Sequence, residues 1–87
     1  MGEKIDALFL ELTELAFLAS YFYKAQKLPY VQKAVVKLDL LKFFLQISWE
    51  IKAIDNKKFI LLSEKLNEIG KMLGGWLRQL TKENSAN

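Results

Sequence analysis

The chain has 87 residues, 52% of them hydrophobic, with six Phe, two Trp and three Tyr, so it is one domain at most, too apolar for disorder and too short to bury a large core alone. Thirteen Lys and Arg against ten Asp and Glu leave a net charge of +3, and there is no Cys and no His. That composition excludes disulfides, thiolate nucleophiles, the usual zinc sites and imidazole acid–base chemistry, and with them most enzyme mechanisms.

The start, Met1-Gly2-Glu3-Lys4, lacks a charged leader followed by an apolar core and a small-residue cleavage site. Apolar runs such as residues 16–19 are too short to span a bilayer. The expectation is a cytoplasmic protein with no membrane association.

Apolar residues recur at three and four throughout, and one Pro and four Gly supply the punctuation, so the pattern predicts an all-α antiparallel bundle of three helices over residues 1–80. The first helix is predicted over about 3–25. Its stripe is Ile5, Leu8, Phe9, Leu12, Leu15, Ala16, Ala19 and Phe22, and Glu3 and Asp6 suit the positive end of its dipole. Pro29 suits a first helical turn, so residues 24–29 read as the first break and the second helix as about 29–54.

The second helix carries two apolar arcs. One holds Val36, Leu40, Phe43, Phe44, Ile47, Ile51 and Ile54; the other holds Ala34, Leu38, Leu41, Leu45 and Trp49. A helix apolar around most of its circumference needs cover on several sides, which predicts completion of the bundle by homo-oligomerisation. Asp55 or Asn56 is a plausible N-cap for a third helix over about 56–80, with the stripe Phe59, Leu62, Leu66, Ile69, Leu73, Trp76, Leu77 and Leu80. Beside that stripe run Ser63, Asn67, Gly70 and Gly74. Each helical Gly costs roughly 1 kcal/mol relative to Ala, and close approach of another backbone is the usual compensation. Because Trp76, Leu77 and Leu80 stay in phase, the helix is expected to run through Gly74-Gly75 rather than end there. Leu38, Leu41, Leu45, Trp49, Ser63, Gly70, Gly74 and Trp76 are therefore the candidates for helix packing or an oligomer interface. Residues 81–87 read as a flexible polar tail.

No constellation carries chemistry. Glu64 with Glu68, and Glu11 with Glu14, share helix faces as in di-metal bundles, but those sites also take His from a Glu-x-x-His pair. A solvated charged face is the better account, and no metal, cofactor or small-molecule substrate is expected. The stretch Gly70-Lys-Met-Leu-Gly-Gly75 lies in a helical pattern and has the wrong order for a phosphate loop. Charge is more informative. Residues 1–23 hold one Lys against four acids, whereas residues 24–58 hold eight Lys against three. Lys24, Lys27 and Lys33 sit at one end of the second helix, and Lys52, Lys57 and Lys58 at the other. An oligomer would repeat each cluster into a band able to hold phosphates; the plainer alternative is that Lys is simply a solubilising helix former.

Three stretches resemble a known family: Lys37-Leu-Asp-Leu-Leu-Lys-Phe-Phe-Leu-Gln46, Glu50-Ile-Lys-Ala-Ile-Asp-Asn-Lys-Lys-Phe59 and Ser63-Glu-Lys-Leu-Asn-Glu-Ile-Gly-Lys-Met-Leu-Gly-Gly-Trp76. They are similar to the small bacterial four-helix-bundle family that includes the accessory variability determinant (Avd) proteins of diversity-generating retroelements and the proteins encoded in 23S rRNA intervening sequences, the Avd-like branch most of all. The resemblance implies a homopentameric barrel of antiparallel helices, a basic surface for RNA or DNA, and association with the retroelement's reverse transcriptase. It also implies that this chain opens at the family's second helix and lacks the first. On this reading Lys24, Lys27, Lys33, Lys37, Lys52, Lys57, Lys58 and Arg78 are the candidate phosphate contacts of a non-enzymatic accessory protein. The alternative is a structural assembly protein that recruits a protein partner and binds no nucleic acid.

Overall fold

A computed structural model describes residues 2–85, apart from the side chains of Lys24 and of residues 83–85. The chain is all-α: α1 spans Gly2–Tyr21, α2 spans Lys24–Glu50 and α3 spans Asn56–Ser85, with no strand among the described residues. No helix is long and apolar enough to cross a membrane among the residues described. The core stripe of each helix follows from its sequence periodicity, but the breaks between helices fall elsewhere than Pro and the apolar pattern suggest.

The first break is at Phe22–Tyr23, not at 24–29, so α1 ends four residues early and α2 begins five residues before Pro29. Residues 24–28 are ordinary helix formers, and Tyr23 in extended conformation (φ −107°, ψ 137°) makes the chain reversal. Pro29 then falls in the second turn of α2, where it forfeits the bond to the carbonyl of Ala25 and its ring crowds that carbonyl; Ala25 is exposed, so water satisfies the freed acceptor. Aromatic packing holds the corner. The Phe22 ring stacks on Tyr30 with centroids 5.0 Å apart, and Tyr21 meets it edge-on at 5.3 Å.

The second break also comes early, since α2 stops at Glu50 rather than at 54. Lys52 adopts the left-handed conformation (φ 63°); its N–H donates to the Trp49 carbonyl at 3.0 Å, and the Ala53 N–H reaches back to Ser48 at 2.8 Å. This is a Schellman closure built on a non-glycine residue. It turns the chain so that Ile54 drops into the core. Asp55 is the N-cap of α3, its Oδ1 accepting from the Lys58 N–H at 2.7 Å. Trp49 stacks on Phe59 at 4.9 Å and its Nε1 donates to Asn56 Oδ1, tying the two sides of the turn together.

At its other end α3 runs through Gly74 and Gly75 and on to Ser85, so residues 81–85, expected in a flexible tail, are helical. Neither Gly nor Pro follows Leu80 to stop it. Residues 86 and 87 of that tail lie outside the described residues.

Contacts along the helices define their sense. Lys4 lies over Phe44, Glu11 pairs with Lys37 and Phe22 stacks on Tyr30, so α1 and α2 are antiparallel. Trp49 with Phe59, Leu38 with Gly70 and Lys27 with Trp76 make α3 antiparallel to α2. The result is a rod 49 × 18 × 15 Å with α2 as its central helix. Ile5, Leu8 and Leu12 from α1, Ala34, Leu38, Leu41 and Leu45 from α2, and Leu66 and Leu73 from α3 form the main core. Ala19, Val31 and Leu80 form a smaller cluster near the α1–α2 turn. Ser48 is the one polar side chain buried among the described residues, and its hydroxyl has no hydrogen-bond partner.

The two arcs of α2 meet different fates. Ala34, Leu38, Leu41 and Leu45 are buried against α1 and α3, with Trp49 half-uncovered at the end of the row. On the opposite arc Val36, Leu40 and Phe43 face outwards with 65%, 37% and 59% of their surface exposed, and Phe44 and Ile47 are only partly covered.

Candidate nucleic-acid and protein interfaces

The basic residues separate into two groups by the antiparallel topology. At the pole formed by the α1–α2 turn, Lys27 lies over the Trp76 ring at 4.7 Å, and Lys33 is exposed further along α2. The Lys24 side chain lies outside the described residues. At the other pole Lys52, Lys57 and Lys58 are all exposed around the α2–α3 turn. Arg78 is exposed on α3 beside Gly74 and Thr81. One chain therefore does not gather its candidate cations into a single patch; they sit towards the ends of a 49 Å rod.

Two lysines of each group sit at the electrostatically costly end of a helix. Lys24 and Lys27 lie in the first turn of α2 and Lys57 and Lys58 in the first turn of α3, and neither first turn contains an acidic residue. Unsatisfied backbone N–H groups already make a helix N-terminus positive, so each cation there is unfavourable by about 0.3–1 kcal/mol and raises the local affinity for anions. The Asp55 carboxylate caps α3 and offsets only part of that potential.

Lys37 stands apart from the other candidates. Its Nζ is 2.8 Å from Glu11 Oε2 in the only ion pair among the described residues, and both side chains are partly exposed. The hydrogen bond from Lys37, and then its charge, hold the Glu11 carboxyl below the usual glutamate range. Lys37 is therefore committed to joining α1 to α2. Among the described residues Lys33, Lys52, Lys57, Lys58 and Arg78 have no ion-pair partner.

The packing candidates divide similarly. Leu38, Leu41 and Leu45 are core residues within the chain, Trp49 braces the second turn, and Trp76 is half-buried under Lys27. A Cβ on Gly70 would meet Leu38 Cδ2 at 3.3 Å, so this glycine admits a side chain of α2 rather than a backbone. Gly74 faces open space, with nothing within 4 Å of where its Cβ would stand. Together with Ser63 and Asn67 these glycines lie along a groove between α2 and α3, whose sides carry Lys42, Lys71 and Arg78.

Lys71 and two tyrosines were not singled out from sequence. Lys71 borders the groove seven positions before the candidate Arg78 on one face of α3, a spacing that was visible in the sequence. Tyr21 and Tyr23 are exposed beside Lys27 in a cleft that Phe22, Trp76 and Leu80 also line. Aromatic faces next to cations suit stacking of unpaired bases. The apolar stripe of α1 already leaves Tyr21 outside it, whereas Tyr23 is in phase with the stripe and faces outwards because α1 ends early.

Among the described residues no three His, Cys, Asp or Glu side chains gather as a metal site. Comparison with family models, curated proteins and solved structures finds no match.

Proposed function

We propose that this chain is a non-enzymatic, homo-oligomeric, cytoplasmic accessory protein that binds RNA or DNA and a reverse transcriptase in a diversity-generating retroelement. The observation that carries the nucleic-acid part is the placement of lysines on the positive ends of α2 and α3 without acidic partners in those turns, an arrangement that lowers stability until an anion is bound. The retroelement and its transcriptase rest on the resemblance of residues 37–76 to the Avd-like bundles, as does a five-chain ring. Assembly would repeat each basic pole around the oligomer and convert two small clusters into bands.

Binding of this kind is phosphate-led, tolerant of sequence and sensitive to salt. The test is affinity for structured RNA and single-stranded DNA across a salt series. A linear fall of log affinity with log salt is expected, shallower in a Lys57→Gln/Lys58→Gln variant; a salt-independent affinity overturns the mechanism. A reverse transcriptase gene and paired template and variable repeats beside the coding sequence would support the retroelement assignment, and their absence would count against it.

The second reading, a structural assembly protein that recruits a protein partner, is favoured by the outward-facing Leu10, Phe17, Val36, Leu40 and Phe43. It predicts an intact oligomer with no nucleic-acid binding at any salt concentration.

A further inference from the structure

The outer stripe of α2 reads Lys33, Val36, Leu40, Phe43, Ile47 and Glu50, with successive spacings of three, four, three, four and three. That order of spacings is the same in both directions. Lys33, Val36, Leu40, Phe43 and Glu50 are exposed and Ile47 is partly covered, so the described residues leave most of the stripe uncovered. A second α2 laid antiparallel across it, with the two-fold axis between Leu40 and Phe43, sets Val36 against Ile47 of the other copy and Leu40 against Phe43. The same register brings Lys33 opposite Glu50 at both ends. These are the alternating layers of an antiparallel helix pair, apolar in the middle and closed by opposite charges. Within one chain Lys33 and Glu50 stand about 25 Å apart at 1.5 Å per residue, so their opposite signs have no mutual use there.

The outer face of α1 is a poorer partner for this stripe. It runs Glu3, Ala7, Leu10, Glu14, Phe17 and Tyr21, and Glu14 would be driven among the apolar side chains at the middle of the α2 stripe. Charge complementarity therefore selects α2 against itself.

We infer that the outer face of α2 is a two-fold interface with a second copy of this chain, centred between Leu40 and Phe43 and closed at each end by Lys33 and Glu50. The inference rests on the homo-oligomeric part of the proposed function and departs from its five-chain ring, for which it substitutes a two-fold pair. A two-fold contact uses the same patch on both copies and yields even-numbered assemblies, whereas a five-chain ring joins two different patches. One helix face covers less than the roughly 800 Å² per partner of a standard interface, so the pair dissociates on dilution.

The experiment is light scattering and sedimentation over a concentration series, with helical content monitored to confirm that each variant folds. The wild-type chain is expected to pass from monomer to dimer. Lys33→Glu and Glu50→Lys each place like charges together at both ends and are expected to weaken the dimer about tenfold. The double reversal in one chain restores it, and an equimolar mixture of the two single variants pairs preferentially as a heterodimer. Because the chain has no Cys, Val36→Cys and Ile47→Cys report the register: neither is expected to cross-link to itself, while the mixture links 36 to 47. A chain that stays monomeric throughout overturns both this interface and the homo-oligomeric reading. An odd-numbered assembly, or a dimer whose strength ignores the charge reversals, overturns this interface alone.

Discussion

Lys52 holds a backbone conformation that glycine adopts without penalty, at φ 63° and with the two hydrogen bonds that close α2. Lys52→Gly is therefore expected to stabilise the fold by about 1 kcal/mol, read as a shift of the urea midpoint at unchanged slope. The same residue explains why the end of α2 was not legible: Ile51 and Ile54 continue the apolar phase, and no Gly or Asn marks the turn. Gly70 and Gly74 make a paired test. An alanine at Gly74 meets nothing and should gain about 0.5–1 kcal/mol of stability in the isolated chain, whereas at Gly70 the contact with Leu38 at 3.3 Å consumes most of that gain. The sequence pattern showed both glycines on one strip, but only the structure shows that the strip has one occupied and one open position. Destabilisation by Gly74→Ala in the assembled protein would locate a neighbouring chain in the groove.

The buried half of each helix was legible because the periodicity selects it: Leu8 and Leu12, Leu38, Leu41 and Leu45, and Leu66 and Leu73 are stripe residues that became the core. The breaks were harder, since one depends on aromatic packing of Phe22 against Tyr30 and the other on a left-handed lysine. The candidate cations were legible as clusters, whereas their coincidence with helix N-termini depends on where α2 and α3 begin. That coincidence sets stability against binding within one element. Lys57→Glu should stabilise α3 by about 0.5–1 kcal/mol through its dipole, measurable as a raised melting temperature, and weaken binding to RNA or DNA in the same variant. A substitution that improved both, or neither, would detach the α3 turn from the binding surface.

Across the whole molecule, α1 and α2 are joined by one ion pair whose acid titrates below its usual range. A depressed carboxyl contributes stability that is fully present above the ordinary glutamate pKa and is lost as pH falls through the lowered value. Glu11→Gln is therefore expected to lower stability by a constant amount above the ordinary glutamate pKa and to converge on the wild type as pH falls through the lowered value, which flattens the acid side of the profile, as read by urea unfolding from neutral pH downwards. The outward half of α2 is the whole-molecule feature that periodicity described and one chain does not use. Its two arcs were legible, but which arc faces inwards depends on where α1 and α3 lie, and charge near the turns does not reveal that.

Three antiparallel helices, unlike four, do not balance. The backbone dipoles of α1 and α3 point along the rod in the same sense, and α2 cancels only one of them. A single copy is thus an electrically polar rod whose backbone presents its positive end at the α2–α3 turn, the pole that also carries Lys52, Lys57 and Lys58. It would approach a polyanion with that end leading. Two copies related by a two-fold axis across the rod cancel the residual moment and present the same potential at either end. Electric dichroism with a reversed pulse would distinguish them, since the monomer's permanent moment must turn over when the field reverses and gives a transient, while the induced response of the pair gives none.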